Sequence, residues 1–172
     1  MKKISFIGIG LMGLPMAKKL LEAGYPLKAH DRTQAKSEKL KKYNAEIVKT
    51  IKEAVSDSDV IITMLTDDLA VDLVMKSSEF LDNLKSGSTV IDMSSVKPET
   101  AKFHGTNLKS KNINYLDAPV SGGTIGAEEA TLAIMVGGEQ NIFNDNLDIL
   151  KTMGTPTLVG PLTSGQVSKL AN

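Results

Sequence analysis

Lys3-Ile4-Ser5-Phe6-Ile7-Gly8-Ile9-Gly10-Leu11-Met12-Gly13-Leu14-Pro15-Met16-Ala17-Lys18-Lys19-Leu20 reads as a short apolar strand, a glycine-rich turn and an amphipathic helix. Met12, Met16, Leu20 and Ala23 fall on one stripe of that helix, and Gly24 is a natural stop. Gly8-Ile9-Gly10-Leu11-Met12-Gly13 matches GxGxxG. Among 14 glycines such a match means little alone; placed between a strand and a helix it has the required context. Gly8 permits the tight turn, Gly10 lets backbone approach a pyrophosphate, and Gly13 lets helix and strand pack closely. Free N–H groups and a positive dipole end at the helix start then suit phosphates. The alternative is a glycine-rich turn that binds nothing.

The pattern continues outward from this unit. Strand candidates fall at 27–31, 45–48, 60–65, 89–93, 114–118 and 132–136, with helical stretches at 11–23, 34–42, 69–80, 98–109 and 140–150. The runs 60–65 and 89–93 are nearly all apolar, as parallel strands covered on both faces must be. Alternation at this spacing predicts an α/β fold, a Rossmann-type doubly wound and mostly parallel sheet. The second strand ends in Asp31-Arg32-Thr33, with Asp31 near the ~20-residue offset at which a carboxylate accepts the ribose hydroxyls of NAD. A local helix cap is the bland reading of Asp31. Arg32 beside it offers a guanidinium to the 2′-phosphate of NADP, so NAD is favoured and NADP stays open.

Composition excludes several classes. The 172 residues carry 20 Lys+Arg and 20 Asp+Glu, a net charge of zero, with no basic block for nucleic acid or an anionic membrane. With no cysteine and only His30 and His104, well separated, no metal site is expected. His30 reads as a packed strand residue. Lys2 and Lys3 before an apolar stretch superficially resemble a secretory leader, but three glycines and Pro15 interrupt it. No apolar run approaches the ~18 residues of a membrane span, and a cytoplasmic location is expected.

Three further segments carry possible chemistry. Ser95, in Asp92-Met93-Ser94-Ser95-Val96-Lys97-Pro98, would lie at the C-terminal edge of the sheet, or serve as a helix cap near the proline. Asp117-Ala118-Pro119-Val120-Ser121-Gly122-Gly123 ends a strand in a turn that suits a carboxylate as well as it suits a flexible loop. Lys169 and Asn172 share a face of a final helix, and a lysine there is ordinarily a solvated surface charge.

Taken together these segments resemble the β-hydroxyacid dehydrogenase family, which includes 3-hydroxyisobutyrate dehydrogenase, tartronate semialdehyde reductase and 6-phosphogluconate dehydrogenase. The family's GxGxMGxxMAxxL stands at 8–20, DAPVSGGxxGA at 117–127 and TLxxMVGG at 131–138. The resemblance covers the whole chain. It implies an NAD(P)-dependent 3-hydroxyacid dehydrogenase or semialdehyde reductase. Gly8, Gly10, Leu11, Met12, Gly13, Asp31, Arg32, Met64, Leu65 and Ser95 would then hold the cofactor. It also implies that Ser121, Gly122 and Gly123 hold the substrate carboxylate, that Lys169 assists proton transfer, and that Asn172 orients the substrate. No metal is required.

Four positions depart from the family pattern. Ser95 replaces threonine, Thr66 a proline, and Ala130 and Thr163 replace glycines. The Ala130 change should leave its turn intact, whereas Thr163 should stiffen the hinge before the last helix. Length departs most, because family members continue into an all-helical domain that closes the cleft and builds a homo-oligomer. The expected organisation is an NAD(P)-binding domain over 1–163, the start of an interdomain helix over 164–172, and no helical domain. Lys169, close to the chain's end on a helix expected to fray, should stay solvated, so the chain alone should turn over slowly. The rival reading is a non-catalytic dinucleotide-binding module acting through a protein partner.

Overall fold

Fully apolar strands need cover on both faces, and the chain supplies it by alternating strands with helices. In the computed structural model, which describes residues 1–172, nine strands form one sheet: β1 (Ile4–Ile7), β2 (Leu27–His30), β3 (Glu46–Ile47), β4 (Val60–Thr63), β5 (Thr89–Asp92), β6 (Asn114–Asp117), β7 (Val120–Ser121), β8 (Leu132–Gly137) and β9 (Gly154–Gly160). The order β3-β2-β1-β4-β5-β6 is parallel throughout; β8 then pairs antiparallel with β6 and β7 and parallel with β9. This is the doubly wound, mostly parallel sheet that the alternation predicts.

The helices are α1 (Gly13–Glu22), α2 (Gln34–Glu38), α3 (Ile51–Val55), α4 (Asp68–Met75), α5 (Ser78–Leu81), α6 (Pro98–Lys109), α7 (Gly123–Glu129), α8 (Gln140–Asp145), α9 (Leu147–Met153) and α10 (Ser164–Ala171). Along each strand the side chains alternate between two cores. Ile4, Phe6, Ile62, Ile91 and Leu116 pack with Met16, Leu20 and Leu150, while Ile7, Ile61, Val90 and Tyr115 pack with Val71, Ala101 and Leu108 on the other face. No helix is long and apolar enough to cross a membrane.

Three predicted helices are shorter than their periodicity suggests. The 69–80 stretch breaks because the Ser77 hydroxyl accepts from the N–H of Phe80 at 3.2 Å and starts α5 afresh. The 140–150 stretch breaks at Asn146, whose amide donates to the carbonyl of Ile142. The 34–42 stretch gives way after Glu38 to a single tight turn over Lys41–Tyr43 that ends in left-handed Asn44. Two strands and one helix were missed. β7 is two residues long, β9 contains Pro156 and survives because it is an edge strand, and α3 is announced only by the Thr50-x-x-Glu53 capping box. Ala130 does leave its turn intact, closing α7 at φ 57°, and Thr163 takes φ 83° ahead of α10. A left-handed residue with a Cβ costs roughly 1–2 kcal/mol, which packing around these two turns must offset.

Candidate functional site

The glycine turn leaves β1 at the C-terminal edge of the sheet. Gly8 has φ 103°, and a Cβ there would strike the carbonyl of Met64; a Cβ on Gly13 would strike the carbonyl of Gly8. Both glycines are therefore required by internal packing. Gly10 differs, since nothing lies within 4 Å of a Cβ built on it, and its open side faces outward. Leu11 beside it is exposed and Met12 is half-buried. The Asp31 carboxylate, half-exposed at the end of β2, accepts the N–H of Ile9 at 2.9 Å and that of Thr33 at 2.8 Å. It thus closes both the glycine turn and its own turn, and each oxygen keeps lone-pair capacity for a further donor. Arg32 is exposed and forms no ion pair. On the outer side of the turn runs a groove of about 810 Å³ whose walls include Lys18, Lys36, Lys39 and Lys42.

The neighbouring strand ends complete this edge. Met64 donates its N–H to the carbonyl of Ile7 at 2.9 Å, and Leu65 donates to Ser94 Oγ at 2.8 Å. Ser95 is exposed and does not cap α6, whose cap position is Lys97. It instead shares a cleft of about 230 Å³ with Lys169, Gln166 and Asp68. His30 is a packed strand residue, 6% exposed, with Nδ1 3.4 Å from the carbonyl of Val48.

At the far end of the sheet, β7 delivers Ser121 to the start of α7. Gly122 and Gly123 both have positive φ, and no atom lies within 4 Å of a Cβ built on Gly123. Lys169 Nζ donates to Ser121 Oγ at 2.7 Å, joining residues 48 positions apart, and Lys169 is half-buried. The solvated, frayed lysine expected from its place in the chain is not what the structure shows. Asn172 does not join this contact; its amide lies 3.4 Å from Met135 Sδ.

Beneath these groups lies a buried polar layer to which sequence reading assigned no role. Thr63, Asp92 and Asp117 are register partners in β4, β5 and β6, so their side chains share one face. Asp92 Oδ1 accepts from Thr63 Oγ1 at 2.9 Å and from the N–H of Ser94 at 3.1 Å, while its Oδ2 has no partner. Burial pushes Asp92 up to about 6 against these hydrogen bonds. Asp117 is also raised, by burial first, and the N–H groups at the start of α10 oppose the shift. The only forewarning was an acidic residue closing each of two strands, β5 and β6.

A raised carboxyl binds its proton more tightly folded than unfolded, so Asp92 withholds stability above pH 6 and returns it as pH falls toward 4. His104, lowered by burial, acts oppositely below its ordinary value, so the effect must be isolated by substitution. Asp92→Asn is expected to raise stability at pH 7.5 by about 1–3 kcal/mol, with the gain shrinking toward pH 5. Urea midpoints at the two pH values measure it, and a variant less stable at both contradicts the assignment.

The matching family model is the NAD binding domain of 6-phosphogluconate dehydrogenase, over residues 3–162. The uncharacterized oxidoreductase YkwC of Bacillus subtilis is 42% identical over 99% of this chain and 60% of its own length. An NAD-dependent L-serine dehydrogenase of Pseudomonas aeruginosa is 36% identical over 100% of this chain and 58% of its own. Among solved structures, a Mycobacterium tuberculosis 3-hydroxyisobutyrate dehydrogenase with L-serine aligns at a TM-score of 0.96 and 31% identity, covering 100% of this chain and 59% of that one. The chain thus spans about 60% of the length of the curated relatives it matches.

Proposed function

Because the chain belongs to the family of the 6-phosphogluconate dehydrogenase NAD-binding domain, together with the 3-hydroxyisobutyrate dehydrogenases and related β-hydroxyacid dehydrogenases, we propose that it is the cofactor-binding part of an NAD(P)-dependent 3-hydroxyacid dehydrogenase or semialdehyde reductase. The observation that carries this reading is the 2.7 Å contact between Lys169 and Ser121, at the same sheet edge as the open side of Gly10. Residues 1–163 form the dinucleotide domain in this reading, and 164–172 begin a helix leading toward a further domain. Val167 and Leu170, exposed on α10, are the apolar positions on which such a domain would pack and an oligomer would build.

The residues present fit a dinucleotide. Gly10 leaves room for a pyrophosphate, Gly8 and Gly13 keep the turn tight, and the Asp31 carboxylate would accept the hydroxyls of a ribose. Leu11, Met12, Arg32, Met64, Leu65 and Ser95 line the same edge. The bound dinucleotide would supply or accept the hydride. The chain's own part is binding and proton handling. The N–H groups at Gly122 and Gly123, with the Ser121 hydroxyl, would bind a substrate carboxylate at the start of α7. The Lys169 ammonium, already within hydrogen-bond reach of that turn, would donate a proton to the substrate oxygen during reduction, and the neutral amine so formed would take the proton back from the substrate hydroxyl during oxidation. Asn172 would orient the substrate, after its amide turns from Met135.

The test is a panel of three-carbon semialdehydes and 3-hydroxy acids followed at the nicotinamide absorbance. Because this chain alone is expected to turn over slowly, the panel is run on the longer protein that this reading supposes; dinucleotide binding with no turnover on any member there would leave only a non-catalytic binding module. Cofactor choice is tested separately: NAD is expected to bind more tightly than NADP, because the Asp31 carboxylate repels a 2′-phosphate. Asp31→Ser should narrow the gap by about tenfold, near 1.4 kcal/mol. Tighter NADP binding by the unsubstituted chain would assign the choice to Arg32 and the nearby Lys36 instead.

A further inference from the structure

α10 has little reason to hold its place unaided. It has eight residues, too few for a stable isolated helix. Its own cap residue, Thr163, is left-handed and makes no side-chain cap bond. The missing acceptor comes from far away in sequence. Asp117 Oδ1 accepts the N–H of Thr163 at 2.9 Å across 46 positions, and Oδ2 accepts that of Gln166 at 3.0 Å across 49. The N–H of Gly165 also contributes to the carboxylate's surroundings.

We propose that Asp117 is a positioning residue: its buried carboxylate fastens the first turn of α10 to the end of β6 and thereby sets Lys169 against Ser121. The proposal rests on the reading of Lys169 as the proton-handling group.

Packing shows that the approach is close. Asp117 is 0% exposed. A Cβ on Gly137 would stand 2.5 Å from Asp117 Oδ1, and one on Gly165 would stand 2.9 Å from Oδ2. The carboxylate therefore occupies a slot walled by two residues without side chains. Two oxygens at a helix N-terminus meet two donors and the positive end of the helix dipole. An asparagine there would keep one acceptor and turn an NH₂ toward backbone N–H groups.

Gln166 supplies a second tether from the same turn. It is 1% exposed; its Nε2 donates to the carbonyl of Ser94 at 2.8 Å and its Oε1 accepts the N–H of Val96 at 3.2 Å. Ser94 in turn receives the N–H of Leu65 on its hydroxyl. The helix is thus bolted to the loop carrying Ser95 and, through it, to the strand end carrying Met64 and Leu65. Lys169 stands three residues beyond Gln166, on the same face one turn later. Loosening the first turn displaces the lysine, and displacement of about 1 Å is enough to cost roughly a hundredfold in rate.

The test labels lysines in the full chain with an acylating reagent and reads each site by peptide mass spectrometry, with exposed Lys36 as the internal standard. In Asp117→Asn the labelling of Lys169 relative to Lys36 is expected to rise about fivefold, as amide exchange from Thr163 to Lys169 accelerates. NADH affinity, read by fluorescence, is expected to stay within about twofold, because all of its proposed contacts except Ser95 lie at the ends of β1, β2 and β4. Unchanged labelling of Lys169 in a folded variant overturns the proposal. So does loss of NADH binding together with the exposure of Lys169, which would make Asp117 a general fold residue. Should Asp117→Asn not fold, Gln166→Met carries the same expectation, a rise of about threefold, and the same overturning result. The labelling is independent of turnover, so failure of the dehydrogenase reading on the substrate panel, with Lys169 still shielded, would leave the positioning role standing.

Discussion

Lys169→Met is expected to lower turnover by about 10²–10⁴-fold while leaving NADH affinity within about twofold. Methionine keeps the length and apolar stem of lysine but has no proton to give. On the rate scale the loss corresponds to roughly 3–5 kcal/mol of transition-state stabilisation. The fold should tolerate the change, since Lys169 is half-buried and Ser121, its partner at 2.7 Å, is half-exposed and can turn to water. Lys169→Arg should not restore activity, because a guanidinium stays protonated and its planar fork cannot replace a compact ammonium. Steady-state assays of both variants beside the unsubstituted protein, each in the longer protein that the dehydrogenase reading supposes, measure this. A kcat within a few-fold of the original for Lys169→Met would remove the lysine from the reaction.

Gly10→Val is expected to abolish dinucleotide binding, with NADH affinity falling by about a hundredfold or more, near 2.7 kcal/mol. The local geometry makes this substitution informative. No atom beyond Gly10 and its two chain neighbours lies within 4 Å of a Cβ at Gly10, so the variant should fold with a thermal midpoint close to that of the original. Any loss of binding then reports a collision with the ligand and not with the chain. Gly8→Val and Gly13→Val serve as contrasts, because their side chains would meet the backbone of Met64 and of Gly8 and should destabilise the protein itself. NADH fluorescence enhancement measured beside thermal denaturation separates the two effects. Undiminished enhancement in a folded Gly10→Val would dismiss the glycine turn as a phosphate site.

Much of the sheet was legible because apolar runs with a period of two, separated by helical stripes, encode local geometry directly. Seven of the nine strands fall at the predicted positions, and the turn at 8–13 leaves β1 as its spacing requires. Boundaries failed where side chains compete with the backbone, as at Ser77 and Asn146, since a hydroxyl or amide can end a helix whose apolar stripe continues. Strand β9 failed for a different reason. Pro156 argues against a strand until its edge position is known.

By itself, then, the sequence determined the doubly wound class, the glycine turn, the place of Asp31 and the residue types at the Ser121 and Lys169 segments. Each of these is carried by neighbours within about one element, where periodicity and turn chemistry act. Only the tertiary structure decided that Lys169 meets Ser121 across 48 positions, and that Asp117 and Gln166 fasten the helix between them. Which buried polar atoms meet depends on strand register and on how closely two glycines let a helix approach a sheet. A linear pattern of apolar and polar residues marks that such atoms are buried and leaves their partners unspecified, because the partners are chosen by packing over the whole fold.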